Sequence, residues 1–217
     1  MTKKEKLQGI LDTLDQVYGP MDEPTLDYRT PWELLVATML SAQCTDARVN
    51  MVTPGLFAKY PSVEDFAQAD QLELEEAIHS VGFYHNKAKN LIACAKRLIL
   101  EYGGEVPSSV EDLTSLAGVG RKTANVIRGH IFHEPSIVVD THVGRISRRL
   151  GLTKNEDPKA VEFDLMKILP KDHWIRWNMQ LITFGRETCR SRAPKCLTCP
   201  ISQYCKSKDR ADKKVAR

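Results

Sequence analysis

Apolar residues recur at helical spacing along most of the chain. Trp32, Leu35, Val36, Met39 and Leu40 follow an i, i+3, i+4, i+7 pattern, and so do Ala88, Leu91, Ile92, Ala95, Leu98 and Ile99. A third stripe, Val143, Ile146 and Leu150, stops at Gly151, which predicts a glycine C-cap. Two further helices are expected, from Glu162 to Leu169 and from Trp174 to Phe184, parted near Pro170. The one run of β-branched residues, Ile137-Val138-Val139, is too short and isolated to build a sheet. The pattern predicts an all-α protein of about ten helices with short connections. The charged tail from Lys206 to Arg217 is expected to fray.

Composition narrows the class. At 217 residues, 42% hydrophobic and 27% charged, the chain reads as an ordinary globular protein with room for one large domain or two small ones. No apolar run reaches the ~20 residues a membrane helix needs, so no membrane partner is expected. Met1-Thr2-Lys3-Lys4-Glu5-Lys6 leads into an amphipathic stretch and not an apolar signal core, which predicts a cytoplasmic protein. A net charge of only +3 excludes a global basic field, so a polyanion would have to be met by local patches.

Four of the six cysteines, Cys189, Cys196, Cys199 and Cys205, fall in one short stretch spaced C-x6-C-x2-C-x5-C. Without a signal peptide, metal is a better reading than a disulfide framework. Structural zinc usually draws on two close pairs of ligands, and only Cys196 and Cys199 form one. Four thiolates along one loop fit a cubane iron–sulfur cluster better, with zinc and unligated thiols as the alternatives. Arg190, Arg192, Lys195 and Lys206 lie among and just beyond these cysteines. They form either a solvated rim or a rigidly held set of phosphate contacts. Cys44 and Cys94 stand alone and read as core.

Leu116-Ala117-Gly118-Val119-Gly120-Arg121-Lys122 sits between two helical stretches. Gly118 and Gly120 permit a tight turn whose amides point outward, and the next helix opens there, where free N–H groups and the dipole attract a phosphate. No strand precedes the turn, which disfavours a dinucleotide fold. A hairpin between helices suits a grip on a nucleic-acid backbone. Lys122 points away from the apolar side made by Ala124, Ile127 and Ile131. It is a solvated or phosphate-binding charge, or else an amine nucleophile. Asp140 stands at an N-cap position before Thr141-His142-Val143. Capping alone would explain it, but so would proton transfer or stabilisation of a developing cation. Arg145, Arg148 and Arg149 lie off the following apolar stripe, as a solvated or a phosphate-facing patch.

Taken together, residues 116–125, Val139-Asp140-Thr141-His142 and the four-cysteine loop resemble the endonuclease III family, iron–sulfur helix-hairpin-helix DNA glycosylases that excise oxidised pyrimidines. Residues 40–46 (Leu-Ser-Ala-Gln-Cys-Thr-Asp) and 81–84 (Val-Gly-Phe-Tyr) fit the same family, and the resemblance runs from about Lys6 to Cys205. It implies two α-helical lobes: a six-helix barrel lobe over residues 22–132 with the hairpin, and an iron–sulfur lobe from residues 1–21 and 133–217. It implies that Lys122 attacks the sugar C1′, expels the base and forms a Schiff base, and that Asp140 assists. Gln43 matches the residue that fills the gap left by a flipped nucleotide. Phe83 falls near the wedge position, where the family commonly has leucine, and Ala117 replaces the family's usual proline.

The resemblance further implies a [4Fe–4S] cluster on Cys189, Cys196, Cys199 and Cys205. It implies duplex DNA carrying a damaged pyrimidine or an abasic site as the partner, and a monomer in a bacterial or archaeal cytoplasm. The related adenine-mismatch and thymine-mismatch glycosylases are disfavoured by Lys122. A non-catalytic DNA-binding module is disfavoured by the presence of both Lys122 and Asp140, neither of which is needed for grip.

Overall fold

The computed structural model describes residues 1–207; the rest of the charged tail lies outside the described residues. Eleven α-helices and four short 3-10 turns account for its regular structure, with no strand among the described residues. In chain order the helices are α1 Lys3–Tyr18, α2 Pro31–Leu40, α3 Asp46–Lys59, α4 Val63–Gln68, α5 Gln71–Ala77, α6 Tyr84–Tyr102, α7 Val110–Ser115, α8 Arg121–His130, α9 Thr141–Leu150, α10 Pro158–Met166 and α11 Trp174–Glu187. The chain divides into two compact units, one from Pro24–Glu134 and one from Met1–Glu23 with Pro135–Arg217.

The unit from Pro24–Glu134 holds α2 to α8. Six helices are expected for this lobe and seven are present; α4, α5 and α7 are only six or seven residues long. Each of these short pieces is started by a side chain, Ser62, Asp70 and Ser109 respectively, accepting from amides of its first turn. Caps of this kind satisfy orphan donors and are worth about 1 kcal/mol, which lets short helices persist. Thr30 caps α2 and Pro31 opens it. The sequence pattern predicts one apolar face for α2, but Leu34, Ala37 and Thr38 are buried too, so α2 runs through the core. Around it pack Phe66, whose ring meets Trp32 edge-on at 5.3 Å, together with Leu56, Leu74, Leu91, Leu98 and Ile127. On α6 the stripe of Ala88, Leu91, Ala95 and Leu98 is fully buried, while Ile99 is exposed.

The other unit packs α1, α9, α10 and α11 around Leu14, Ile146, Leu165, Trp177 and Phe184. A reciprocal cap between Thr2 and Glu5 starts α1. Ile137 and Val138 are buried in a segment without regular structure, where the Val138 carbonyl accepts from Asn178 Nδ2 at 3.2 Å. Asp140 starts α9, and Gly151 ends it with φ +70°, the left-handed C-cap expected from sequence. Helix α10 begins ahead of the expected Glu162–Leu169 span, at Pro158, and stops short of its end, at Met166. Asp157 accepts from Ala160 and Pro158 sits at the first helical position, and this start signal sets the register.

Candidate active site

In the unit from Pro24–Glu134, the hairpin at 116–120 is pressed onto α2 and α6. Gly118 holds φ +76°, and a Cβ there would fall 2.9 Å from Asn90 Cβ and 3.0 Å from Met39 Cε. Glycine is therefore required at this position on two counts, backbone conformation and space. Gly120 differs: its φ is −91° and a Cβ would meet open space. It serves as N-cap of α8, with its carbonyl taking the Ala124 amide at 2.9 Å.

Lys122 is exposed at the second position of α8. The first turn of this helix carries Arg121 and Lys122 and no acidic residue. Cations at the positive end of a helix dipole are unfavourable by roughly 0.3–1 kcal/mol each, so this end is arranged for an anion and not for its own stability. Buried Ala124 and Ile127 lie on the opposite side, as the helical pattern predicts.

Three of the sequence-predicted residues come together. Gln43, Phe83 and Gly118 line one cleft of about 160 Å³ with Met39, Ala42, Asn86, Lys87 and Asn90. Gln43 is not part of a helix end: α2 stops at Leu40, and Gln43 occupies the following turn with φ +54°. Phe83 precedes α6 with φ +50° and is 62% exposed. Lys87 is a residue that sequence reasoning missed. It is buried, and its Nζ donates to the carbonyls of Leu40 at 2.8 Å and Val81 at 3.0 Å. Burial pushes its pKa down from the ordinary lysine value, while Cys44 acts in the opposite sense. A signal was present: Lys87 lies four residues before Leu91 and seven before Cys94, on the apolar side of α6. Cys94 is buried as expected, but Cys44 is only half-buried at the edge of the core.

In the other unit, Asp140 is half-buried and its Oδ1 accepts the Val143 amide at 2.7 Å. His142 packs against Gly185, where a Cβ would lie 2.2 Å from the ring Nδ1. That nitrogen lies 3.2 Å from Arg145 Nη2. Arginine only donates, so Nδ1 carries the lone pair and the proton sits on Nε2. Burial pushes the His142 pKa down; Asp140 opposes this, and Arg145 and Arg186 reinforce it.

Two arginines left open by the sequence buttress the cysteine loop. Arg145 Nη2 donates to Cys189 O at 2.9 Å, while Arg149 donates to Arg190 O at 2.6 Å and Ser191 O at 3.0 Å. Arg149 Nη1 also lies 3.5 Å from Cys189 Sγ. Arg190 and Arg192 are exposed and line a basic pocket with His142, Arg145 and Arg186. Lys195 is exposed as well, at the rim of the cysteine cavity.

Cys189, Cys196, Cys199 and Cys205 all line that one cavity, walled by Ile146, Leu150, Phe184 and Ile201. No three His, Cys, Asp or Glu side chains among the described residues are grouped as a single metal ion requires. Burial pushes the Cys199 thiol up to about 11, and the neighbouring Cys189, Cys205 and Cys196 add to the rise. At Cys189 burial also raises the pKa, and Arg149 and Arg145 oppose it. Four cysteines lining one apolar cavity would be costly as thiolates unless a cationic centre accompanied them. The donor set thus fits a metal–sulfur group.

Comparison with known proteins agrees with this geometry. Residues 36–171 match the model of the HhH-GPD superfamily of base excision DNA repair proteins. The chain is 48% identical to endonuclease III of Synechocystis sp. over 95% of its length and 94% of that protein. It is 44% identical to endonuclease III of Bacillus subtilis over 99% and 98% of the two chains. A trapped endonuclease III–DNA covalent intermediate, an estranged-adenine complex, superposes with TM-score 0.90 at 43% identity over the whole of both chains. A non-covalent endonuclease III–DNA complex gives 0.91 at 42%, again over the whole of both chains. A thermostable thymine-DNA glycosylase shares the fold, at TM-score 0.84 and 24% identity, covering 93% and 96% of the two chains. The chain belongs to the endonuclease III family of base-excision repair enzymes, which are DNA glycosylases and abasic-site lyases.

Proposed function

We propose that this enzyme removes oxidised pyrimidines from duplex DNA with Lys122 as nucleophile, and that it then cuts the abasic strand. The observation that carries the proposal is Lys122 itself, an exposed amine at the opening of α8 beside amides suited to a phosphate. The neutral amine adds its lone pair to C1′ as the glycosidic bond breaks. The bonding pair leaves on the base, which is protonated, and the amine gives up a proton. Ring opening yields an imine between Nζ and the sugar. This imine draws electrons from the C2′–H bond; the proton is lost and the 3′ phosphate departs by β-elimination. Water then hydrolyses the imine and restores the lysine. A relative solved as a covalent intermediate with DNA supports a covalent route. A water nucleophile would leave an intact abasic strand.

Asp140 takes a proton from the attacking amine or faces the cationic sugar. Its cap bond to Val143 employs Oδ1 and holds the carboxylate in one orientation. A base in the stack cannot be reached, so the nucleotide must be extruded at a cost of a few kcal/mol. Gln43 and Phe83 offset part of that cost by occupying the vacated space and the neighbouring step. Gly118, Gly120, Arg190, Arg192 and Lys195 hold phosphates, which fixes register without reading sequence.

Cys189, Cys196, Cys199 and Cys205 would hold a [4Fe–4S] cluster. Four sulfurs spread round one apolar cavity suit a polynuclear centre better than a lone ion. Held by these four residues, such a cluster would staple the loop that carries Arg190, Arg192 and Lys195. The protein works as a monomer in the cytoplasm. Borohydride trapping on duplex DNA with an oxidised pyrimidine, in excess chelator, tests the chemistry. Wild type should be trapped, and Lys122→Ala should lose both adduct and nicking while keeping DNA affinity. An adduct at comparable rate in Lys122→Ala would assign the nucleophile elsewhere.

A further inference from the structure

Lys87 is 7% exposed on the apolar side of α6, a position where an aliphatic residue would satisfy packing. Its ammonium joins two segments distant in sequence, donating to Leu40 O and to Val81 O. Leu40 is the last residue of α2, and Gln43 follows it by three residues. Val81 ends the 3-10 turn His79–Val81, and Phe83 follows it by two. The carbonyl at the end of α2 carries the negative end of a helix dipole, which a cation favours.

Both Gln43 and Phe83 hold left-handed backbone, at φ +54° and +50°. Residues with a Cβ avoid this region and remain in it only where the surroundings over-determine them. Phe83 is not held by its own side chain, which is largely exposed. From downstream the Phe83 carbonyl accepts the Lys87 amide at 3.1 Å, and from upstream the two turns follow the segment ends that the Lys87 ammonium ties together. All three residues line the same cleft.

We propose that Lys87 is a positioning residue that clamps the turns bearing Gln43 and Phe83 at a fixed spacing, so that the two enter the duplex together as the nucleotide is extruded. This rests on the reading of Gln43 and Phe83 as the inserted residues. A preset spacing removes an ordering cost from binding. Without the clamp each turn relaxes separately, and misplacement on the scale of an ångström costs up to about 10²-fold in rate.

Lys87→Met keeps the apolar stem and removes the donors; Lys87→Gln keeps a donating nitrogen without the charge and replaces the Met variant should that not fold. Each is compared with wild type and with Gln43→Ala/Phe83→Ala by three measurements: amide hydrogen exchange, 2-aminopurine fluorescence next to the lesion, and single-turnover excision. Exchange should accelerate in residues 41–44 and 81–84 and little elsewhere. Extrusion and excision should fall on the order of 10- to 100-fold. Adding Lys87→Met to the double alanine variant should cost less than about twofold more, because one function has already been removed. Acceleration spread through the whole unit, with excision by the folded fraction unchanged, would overturn the proposal, as would losses that multiply. A double alanine variant that extrudes and excises like wild type overturns it through its premise, and local exchange would then still report the clamp.

Discussion

The Asp140 carboxylate accepts the Val143 amide at 2.7 Å, so the side chain assigned to catalysis also closes the first turn of α9. The two roles separate by substitution. Asparagine caps a helix about as well as aspartate, so Asp140→Asn should unfold within about 0.5 kcal/mol of wild type. It cannot take a proton or face a cation with charge, so excision should slow by about 10²–10⁴. Thermal unfolding and single-turnover excision on one preparation check this. A wild-type rate would leave Asp140 with capping alone.

Gly118 is held against Asn90 and Met39 with φ +76°. Gly118→Ala should destabilise the protein by about 1–3 kcal/mol and weaken binding to damaged and undamaged duplex alike. Gly120→Ala, at φ −91° with open space around it, should cost less. Urea unfolding and fluorescence anisotropy of both variants give the comparison, and equal losses would contradict it.

The four cysteines of the loop line one cavity, while Cys94 is buried elsewhere with its thiol pushed up to about 12 by burial. The purified protein should show a broad visible band and about four iron and four sulfide per chain. Cys94→Ala should keep the colour, and Cys94 should resist alkylation in the native protein, because so little thiolate is available there. A colourless protein with one bound zinc that binds DNA normally would sink the cluster assignment.

Arg190 and Lys195 are exposed on the cysteine loop, and net charge is only +3. Affinity should nevertheless fall steeply with salt, because local cations replace counterions on phosphates. Neutralising Arg190 and Lys195 together should flatten the plot of log affinity against log salt by about 1 to 2 and weaken binding on any sequence. An unchanged slope would mean that both side chains face solvent in the complex.

Much of the local organisation was legible in the residues. The Val143, Ile146, Leu150 stripe with Gly151 at its end predicted α9 to the residue of its cap, because helical period and left-handed C-caps depend on nearest neighbours alone. The hairpin glycines, the exposure of Lys122 and the capping place of Asp140 were local in the same sense. Where several local signals competed, the reading slipped: Asp157-Pro158 set the start of α10 ahead of its apolar pattern.

Other features depended on groups far apart in sequence, which no periodicity records. Burial of α2 on every side follows from what surrounds it and not from its own pattern. Arg145 and Arg149 could be read equally as solvated or as phosphate contacts until the loop 40 residues onward supplied carbonyls for their donors. The partners of Lys87 were not legible either, since a lysine pairs with whatever acceptor the fold delivers, and the carbonyl of Leu40 lies 47 residues away. The sequence by itself determined most of the helices and where the candidate side chains fall along them and their connecting turns. Only the tertiary structure decided how buried donors and acceptors are matched, because an unmatched polar group inside the core costs several kcal/mol and its partner is chosen by packing across the chain.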